Sequence, residues 1–421
     1  MEYVHTLIIG AGVSGLTYAL HAKGEYLIFD KDVRPGGLCK TFYQDGFIWD
    51  YAGHFFHFAH PWLKKYFSDA IGIDSMVTCA KNTNINYYGR LIDYPFQMNI
   101  HQLAKDEFID CLYDLFHRPK GARQGSFQEM LYQKFGKGIT EKFLKPYNEK
   151  LYACDLNELD VDAMGRFFPY ASPEEIIDNF KDANVATYNS VFNYPKRGAE
   201  VFVDALLQGI NKERLRCEQA LERVDIRDKV ALIDGKEFRY EQLISTIPLN
   251  RFIKLVYKNG APFVAEEKAP ILTANQVLVF NLGYDRPALD TNVHWTYYPD
   301  KKINFYRVGC YSNILNTNRL SLYVEIGAKE TEKLDINAQL ELTQHWLKHV
   351  GIISEHQLIA YNALIINPAY VHITNKGKKF VEALADTLQE YDVHLLGRYG
   401  KWTYCSIEDC MVDAMGLANK G

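Results

Sequence analysis

The sequence lacks the motifs that mark several large enzyme classes. It contains neither HExxH, which carries the paired histidines of many zinc peptidases, nor GxSxG, the nucleophile turn of serine hydrolases. No two of its eight cysteines have the CxxC spacing of zinc sites or thioredoxin-like centres. We therefore expect no metal site and no Ser-His-Asp hydrolysis, and we interpret the cysteines as reduced thiols.

Long apolar runs and a strong charge of one sign are missing as well. No apolar stretch reaches the roughly 18 to 20 residues that span a bilayer, and a strand predicted from Tyr3 leaves no room for a signal-peptide core. The 47 basic and 52 acidic residues are dispersed and sum to a net charge of -5, which favours neither nucleic acid nor an anionic membrane. We expect a cytoplasmic protein with a small-molecule substrate, no transmembrane segment and no nucleic-acid partner.

A glycine-rich turn near the N-terminus predicts a dinucleotide site. The apolar strand end at residues 7–9 leads into Gly10-Ala11-Gly12-Val13-Ser14-Gly15, and a helix is predicted over 16–22. Glycines at these spacings allow a tight turn, a close approach of pyrophosphate and close packing of helix on strand. A second strand, 26–29, ends at Asp30, where an acidic side chain binds ribose. The alternative is a purely structural glycine turn.

Three further segments carry a resemblance to a known group of flavoproteins. Arg34-Pro35-Gly36-Gly37-Leu38-Cys39-Lys40-Thr41 resembles the RxGGxxxT stretch of the amine oxidase, protoporphyrinogen oxidase and UDP-galactopyranose mutase superfamily. Residues 50–57, Asp-Tyr-Ala-Gly-His-Phe-Phe-His, resemble its flavin-ring segment, and residues 395–400 resemble the turn that closes the flavin site. The resemblance implies FAD as cofactor. It implies cofactor-binding roles for Gly10, Ala11, Gly12, Ser14, Gly15, Asp30, Lys31, Gly36, Gly37, Leu38, Cys39, Gly53, His54, Phe55, Val224, Gly397, Arg398, Ser406 and Ile407.

The same resemblance implies an α/β fold in several chain segments, because both chain ends belong to one cofactor unit. With 421 residues and 48% hydrophobic content, the chain can form two or three subdomains. We expect an FAD/NAD(P)-binding Rossmann-type domain from 1–75, 194–250 and 390–421. We expect an inserted helical subdomain over 95–193, and an antiparallel-sheet substrate domain from 76–94 and 251–389, where runs rich in Val, Tyr, Phe and Thr predict strands.

A second set of residues is similar to UDP-galactopyranose mutase itself. Residues 147–152 resemble its YTKKQW segment, Arg166 lies 14 positions after Tyr152, and residues 305–308 resemble its FTRI. Tyr370 lies in a stretch that resembles its tyrosine turn. Tyr404, six positions after Arg398, resembles the second tyrosine that binds its diphosphate. The resemblance implies substrate binding by Tyr152, Arg166, Arg307, Tyr370 and Tyr404, and catalytic roles for His54, Arg166 and Arg307. Arginine supplies bidentate donors to phosphate, but Arg166 could instead cap a helix, and in a chain with 29 tyrosines Tyr370 and Tyr404 could be core residues.

The leading hypothesis is therefore an FAD-dependent mutase for a nucleotide sugar. By the resemblance, reduced flavin is the nucleophile at the anomeric carbon, an electron donor must reduce it, and the setting is surface polysaccharide biosynthesis. Departures from the mutase pattern, with Tyr152-Ala153 for Trp-Gly, Gly53 for proline and Cys39 for asparagine, keep two alternatives open. One is a flavin oxidoreductase of amine oxidase or protoporphyrinogen oxidase type, and the other is a non-catalytic FAD-binding homologue. The oligomeric state stays open.

Overall fold

The computed structural model describes residues 1–119, 121, 125–181 and 191–420. Its strands are β1 Glu2–Ile9, β2 Tyr26–Phe29, β3 Thr41–Gln44, β4 Phe47–Asp50, β5 Met76–Ala80, β6 Thr83–Tyr87, β7 Arg90–Asp93, β8 Val191–Pro195, β9 Leu215–Arg216, β10 Leu221–Asp225, β11 Val230–Ile233, β12 Lys236–Ser245, β13 Val256–Lys258, β14 Ala261–Pro262, β15 Asn275–Tyr284, β16 Trp295–Tyr297, β17 Arg307–Cys310, β18 Ser321–Lys329, β19 Leu358–Ile366 and β20 Val393–Leu395. Its α-helices are α1 Val13–His21, α2 Pro61–Ile71, α3 Lys105–Phe116, α4 Phe127–Ile139, α5 Lys145–Tyr152, α6 Pro173–Asn179, α7 Glu200–Gln208, α8 Leu249–Phe252, α9 Tyr311–Leu315, α10 Ile336–His349, α11 Asn375–Gln389, α12 Gly397–Gly400 and α13 Ile407–Ala418. No helix in these ranges is both long enough and apolar enough to cross a membrane.

The first sheet is built around the two chain ends. Its order is β14-β13-β10-β11-β12-β1-β2-β9, with β20 beside the C-terminal part of β12. The strands β20, β12, β1, β2 and β9 run parallel. Ile8 faces helices α1, α7 and α13, whereas Leu7 and Ile9 face the opposite core, as the alternation of a strand requires. The predicted α/β fold is confirmed.

The second sheet carries the middle of the chain. Its order is β19-β15-β18-β17-β16-β6-β7. All neighbours are antiparallel except β16 and β6, which run parallel. The expected antiparallel sheet therefore has one parallel pair, whose two strands come from separate excursions of the chain. One face of the sheet packs on α10 and the other on the helices between 105 and 179.

The division between the sheets differs from the expected one at two places. Strands β13 and β14 extend the first sheet beyond residue 250 through pairing of β13 with β10. Helix α11 packs its Leu384 and Leu388 into the core of the same sheet. Residues 251–262 and 375–389 therefore lie with the first sheet and not with the second. The helical stretch expected over 95–193 includes residues 182–190, which fall outside the described ranges.

Candidate flavin and substrate site

The glycine turn after β1 is shaped by close backbone contacts. Gly10 has φ +102°, and a Cβ there would meet Thr246 Oγ1 at 2.2 Å. A Cβ on Gly15 would lie 2.0 Å from the carbonyl oxygen of Gly10. Asp30, at the end of β2, accepts the backbone N–H of Ala11 at 2.6 Å. The turn therefore requires glycine at both positions, and the acidic side chain lies directly against it.

A second glycine turn lies against the first. The Gly36 N–H donates to the Ala11 carbonyl at 2.8 Å, and Gly37 has φ +58°. A Cβ on Gly37 would lie 3.2 Å from the Gly12 Cα, while at Gly12 the nearest atom to a Cβ would be the Gly37 Cα at 3.8 Å. The two bare turns form a cradle at the N-terminus of α1, where backbone can approach a pyrophosphate and the helix dipole favours its charge. These residues fit FAD.

Flanking residues secure this cradle in ways that the motif did not indicate. Arg34 is held by Glu200, with N–O distances of 2.5 and 2.6 Å, so its role is structural. Lys40 is almost fully buried and pairs with Asp32 at 2.6 Å. Cys39 is buried, and desolvation raises the pKa of its thiol. Lys31 is exposed.

Val224 lies at the wrong end of the first sheet for the predicted cofactor role. Val224 pairs with Ala231, Ala231 pairs with Phe238, and Phe238 pairs with Glu2, the first residue of β1. The glycine turn follows the last residue of β1, at the opposite end of the strand. Val224 is fully buried, and its N–H donates to the Leu255 carbonyl at 2.8 Å. The sheet register therefore does not bring Val224 to the glycine turn. The segment beside Asp30 is 216–219, and its Gln219 N–H donates to the Asp30 carbonyl at 3.0 Å.

His54 lies with Arg307, Arg398 and Glu325 in a region that we call the cleft, and its tautomer is defined. Its Nδ1 is 3.0 Å from the Ala52 carbonyl oxygen, so Nδ1 carries the proton. Desolvation by the surrounding protein lowers the pKa of His54 to about 4, which leaves the ring neutral and Nε2 a hydrogen-bond acceptor. A Cβ on Gly53 would meet the Tyr323 hydroxyl at 2.6 Å. Phe55 stacks on Trp295 with centroids 5.1 Å apart, so it belongs to the aromatic packing under the cleft.

The C-terminal turn joins the cradle to the cleft. Gly397 has φ +76°, and a Cβ there would lie 2.3 Å from Ser14 Oγ on α1. Ser406 caps α13 by accepting the Asp409 N–H at 3.0 Å, while Asp409 accepts the Ser406 N–H at 2.8 Å. Ile407 is the first residue of that helix and packs in the core around α1. The two ends of the chain thus meet at one point.

Three of the predicted substrate tyrosines come together with Arg398. Tyr370 and Tyr404 lie nearly parallel, with centroids 6.1 Å apart, and Tyr152 is edge-on to Tyr370 at 5.8 Å. The Arg398 guanidinium carbon is 4.4 Å from the Tyr404 ring centre and 5.5 Å from that of Tyr370. Arg398 forms no ion pair with any described residue, and its buried Nε and the buried Tyr152 hydroxyl have no hydrogen-bond partner among them. Buried polar groups of this kind are ordinarily paired, so the Arg398 Nε and the Tyr152 hydroxyl are available to a polar ligand.

Arg307 lies in the same cleft but is already paired. Its Nη2 and Nε contact the Glu325 carboxylate at 2.6 and 3.1 Å, and the Glu325 side chain is 2% exposed. The Arg307 guanidinium is 5.9 Å from the Tyr323 ring centre. Sequence reasoning missed Glu325. Glu325 on β18 lies directly opposite Arg307 on β17, and only the sheet register shows this pairing.

Arg166 lies at the rim, outside the buried cluster. It pairs with Asp409 at 2.6 Å, and its side chain is 52% exposed. Its neighbour Phe167 packs edge-on against Tyr404 at 5.3 Å. The structure therefore brings Arg307, Tyr152, Tyr370 and Tyr404 together and leaves Arg166 engaged with the cap of α13.

Comparison with known proteins agrees with this geometry. The family described as flavin containing amine oxidoreductase matches residues 13–351. A reduced UDP-galactopyranose mutase is similar over 99% of this chain and 93% of its own, with TM-score 0.91 and 22% identity. A proposed protoporphyrinogen oxidase from an Exiguobacterium species is similar over 100% and 98%, with TM-score 0.77 and 15% identity. Cyclohexylamine oxidase from Brevibacterium oxydans is similar over 99% and 98%, with TM-score 0.68 and 12% identity.

The fold and the paired glycine turns define an FAD-dependent flavoprotein with a second sheet placed over the cofactor domain. The chain belongs to the flavin-containing amine oxidoreductase family. Its cofactor is FAD.

Proposed function

We propose that this protein is an FAD-dependent mutase of a nucleotide sugar, of the kind that interconverts the pyranose and furanose forms of UDP-galactose. One observation carries the proposal. The cleft holds two guanidinium groups, Arg307 and Arg398, against the single carboxylate of Glu325. A surplus of one positive charge beside the side chains of Tyr370 and Tyr404 suits an anionic phosphate.

The overall likeness to UDP-galactopyranose mutase supports the proposal, since it extends over nearly the whole of both chains. The other structures compared align over as much of the chain but at lower TM-scores. At 22% identity this likeness describes the fold alone. The evidence for the kind of substrate is therefore the charge of the cleft.

When bound and reduced, the flavin supplies the nucleophile for the anomeric carbon in such a reaction. In our proposal the hydroxyls of Tyr370 and Tyr404 donate to diphosphate oxygens, and Arg398 neutralises part of the charge. His54 presents Nε2 as an acceptor and orients a hydroxyl or ring N–H without adding charge. Trp295, stacked on Phe55, and Phe192, tilted against it, would exclude water from the floor of the cleft.

Arg166 would take part only by exchanging partners. Asp409 holds it at the rim, so a catalytic role requires the phosphate to replace that carboxylate.

We propose further that 1–75, 194–262 and 375–421 form the cofactor unit, that an electron donor reduces the flavin, and that the enzyme acts in the cytoplasm in surface polysaccharide synthesis.

A second candidate is an oxidoreductase that removes hydride from an amine. The nearly parallel rings of Tyr370 and Tyr404 favour it, because aromatic faces attract cations. The net positive charge of the cleft disfavours it, because an ammonium substrate would be repelled by Arg398. A non-catalytic homologue is the third outcome.

The test is an anaerobic titration of the holoprotein followed by flavin absorbance. Dithionite-reduced protein receives UDP, and oxidised protein receives a primary amine or a porphyrinogen. We expect UDP to perturb the spectrum, with binding weakened about tenfold by Tyr404→Phe through loss of a charged hydrogen bond. The control Arg286→Ala removes an exposed arginine of the second sheet that pairs with Asp285 and should leave UDP binding unchanged.

Each other result has a meaning. Bleaching of the oxidised flavin by an amine or a porphyrinogen would move the assignment to an oxidoreductase. A spectrum indifferent to UDP, amine and porphyrinogen alike would indicate the non-catalytic homologue.

A further inference from the structure

Two cysteines meet at the start of the C-terminal helix. The Sγ atoms of Cys405 and Cys410 are 3.5 Å apart, and both thiols are free. Ser406 is the N-cap of α13 and forms a capping box with Asp409. Cys405 therefore occupies the position before the cap and Cys410 the fourth helical position, which are the two positions that pack together across a capped helix start. The cap itself fixes their contact.

The surroundings of the two sulfurs differ. Cys410 is buried and lies in the first turn of α13, whereas Cys405 is half-buried. Either sulfur can donate in their contact. With Cys405 as the donor, the contact lowers the pKa of Cys410, burial raises it, and the Arg398 N–H and the Ser14 hydroxyl lower it further. A helix N-terminus adds to the stabilisation of a thiolate. Cys410 is thus the nucleophilic sulfur, and Cys405 is placed to resolve its oxidised form.

We propose that Cys405 and Cys410 form a reversible redox site that hydrogen peroxide converts to a disulfide. The Cys410 sulfur attacks one peroxide oxygen, the O–O bond breaks, and the departing hydroxide takes the proton that the Cys410 thiol gives up and leaves as water. The Cys405 sulfur then attacks Cys410, the S–S bond forms and the S–O bond breaks, and the hydroxide leaves with the Cys405 proton as a second water. Two thiols are oxidised and one peroxide is reduced. This inference does not depend on the proposed function.

The location connects this site to the cleft. Tyr404 directly precedes Cys405, and the same helical turn holds the rim through Asp409 and Arg166. Glu408 in that turn accepts the backbone N–H groups of Ala59 and His60 at 2.9 and 2.7 Å. Closing the sulfurs from 3.5 Å to about 2.05 Å draws the residue after Tyr404 toward the helix.

The experiment treats the FAD-loaded protein with peroxide, quenches it with catalase, alkylates the remaining thiols under denaturing conditions and analyses tryptic peptides by mass spectrometry. Residues 402–420 form one such peptide, which contains both cysteines and no other. We expect this peptide to resist alkylation and to lose two hydrogen atoms, and we expect dithiothreitol to reverse the change.

Matched variants separate the roles of the two sulfurs. In Cys405→Ser, Cys410 should accumulate as a sulfenic acid that dimedone traps, whereas Cys410→Ser should give at least tenfold less adduct at Cys405. Cys79→Ser, at a half-buried cysteine of β5, should behave as wild type. A wild-type peptide that is still alkylated twice, a cross-link from Cys410 to Cys39, or equal trapping in the two single variants would overturn the proposal.

Discussion

The buried ion pair between Arg307 and Glu325 gives a prediction in which stability and ligand binding move in opposite directions. Glu325→Gln keeps the size of the side chain but leaves the Arg307 guanidinium without its carboxylate. Breaking a buried pair costs about 3–5 kcal/mol. Because the Arg307 side chain keeps 22% of its exposure, we expect the lower end of that range, about 3 kcal/mol. The unfolding free energy in urea, monitored by circular dichroism, measures it.

The same substitution should tighten the binding of an anion. It raises the charge of the cleft by one unit, and at an effective dielectric constant of about 20 and a separation of roughly 8 Å the Coulomb energy is about 2 kcal/mol. Screening reduces this, so we expect UDP to bind roughly tenfold more tightly. UDP should also restore part of the lost stability, because it binds the folded state only.

The control is a second bidentate pair at the surface. Arg216 contacts Glu2 at 2.8 and 3.1 Å, with side chains 31% and 49% exposed. Glu2→Gln should cost less than about 1 kcal/mol and leave UDP binding unchanged. The reasoning is refuted if the two substitutions cost the same, or if Glu325→Gln weakens UDP binding.

Three further predictions concern the cradle, the histidine and one buried lysine. Gly37→Ala should lower the FAD content of the purified protein by more than half, because a Cβ crowds the facing turn. The control Gly235→Ala, with a similar φ but no atom within 4 Å, should retain FAD. The ratio of flavin to protein absorbance measures the FAD content. His54 has a folded pKa of about 4 below its unfolded value of about 6.5, so it contributes stability above pH 6.5 that is lost as pH falls through 4. In urea titrations at pH 4.5 and 7.5, His54→Gln should remove up to about 3 kcal/mol of that pH dependence of the unfolding free energy. His345→Gln, at an exposed histidine, is the control. Lys150 donates to the carbonyl oxygens of Tyr298, Asp300 and Phe305 at 2.5 to 2.9 Å, and the Asp300 oxygen also accepts the Ile303 N–H. Lys150→Met removes the charged donor from all three and should cost about 3 kcal/mol in urea unfolding; a loss below about 1 kcal/mol would contradict this.

The cofactor turn could be predicted from the sequence because its constraints are local. Glycine spacing, the strand before it and Asp30 at the end of the next strand lie within one βαβ unit, and the structure brings them together. The Gly397 turn was predicted only through its resemblance to the flavoprotein group, because its contact with Ser14 joins distant parts of the chain.

Other parts of the site depend on register and on long-range pairing. Val224 lies away from the glycine turn because β11 pairs with the N-terminal end of β12 and β10 pairs with β11, an offset that residue types do not encode. The partner of Arg307 follows from the alignment of β17 with β18, and the partner of Arg166 lies on the last helix of the chain. Charged residues find their counterions in three dimensions, so their roles could not be predicted one at a time.

The most direct test of the account is an anaerobic incubation of dithionite-reduced holoprotein with UDP-galactopyranose, with the sugar-ring form followed by NMR. The account predicts formation of the furanose, no net oxidation of the flavin, and loss of turnover in Tyr404→Phe but not in Arg286→Ala. If the sugar stays wholly in the pyranose form while UDP binds, the cleft recognises a diphosphate for another reaction and the mutase assignment is contradicted.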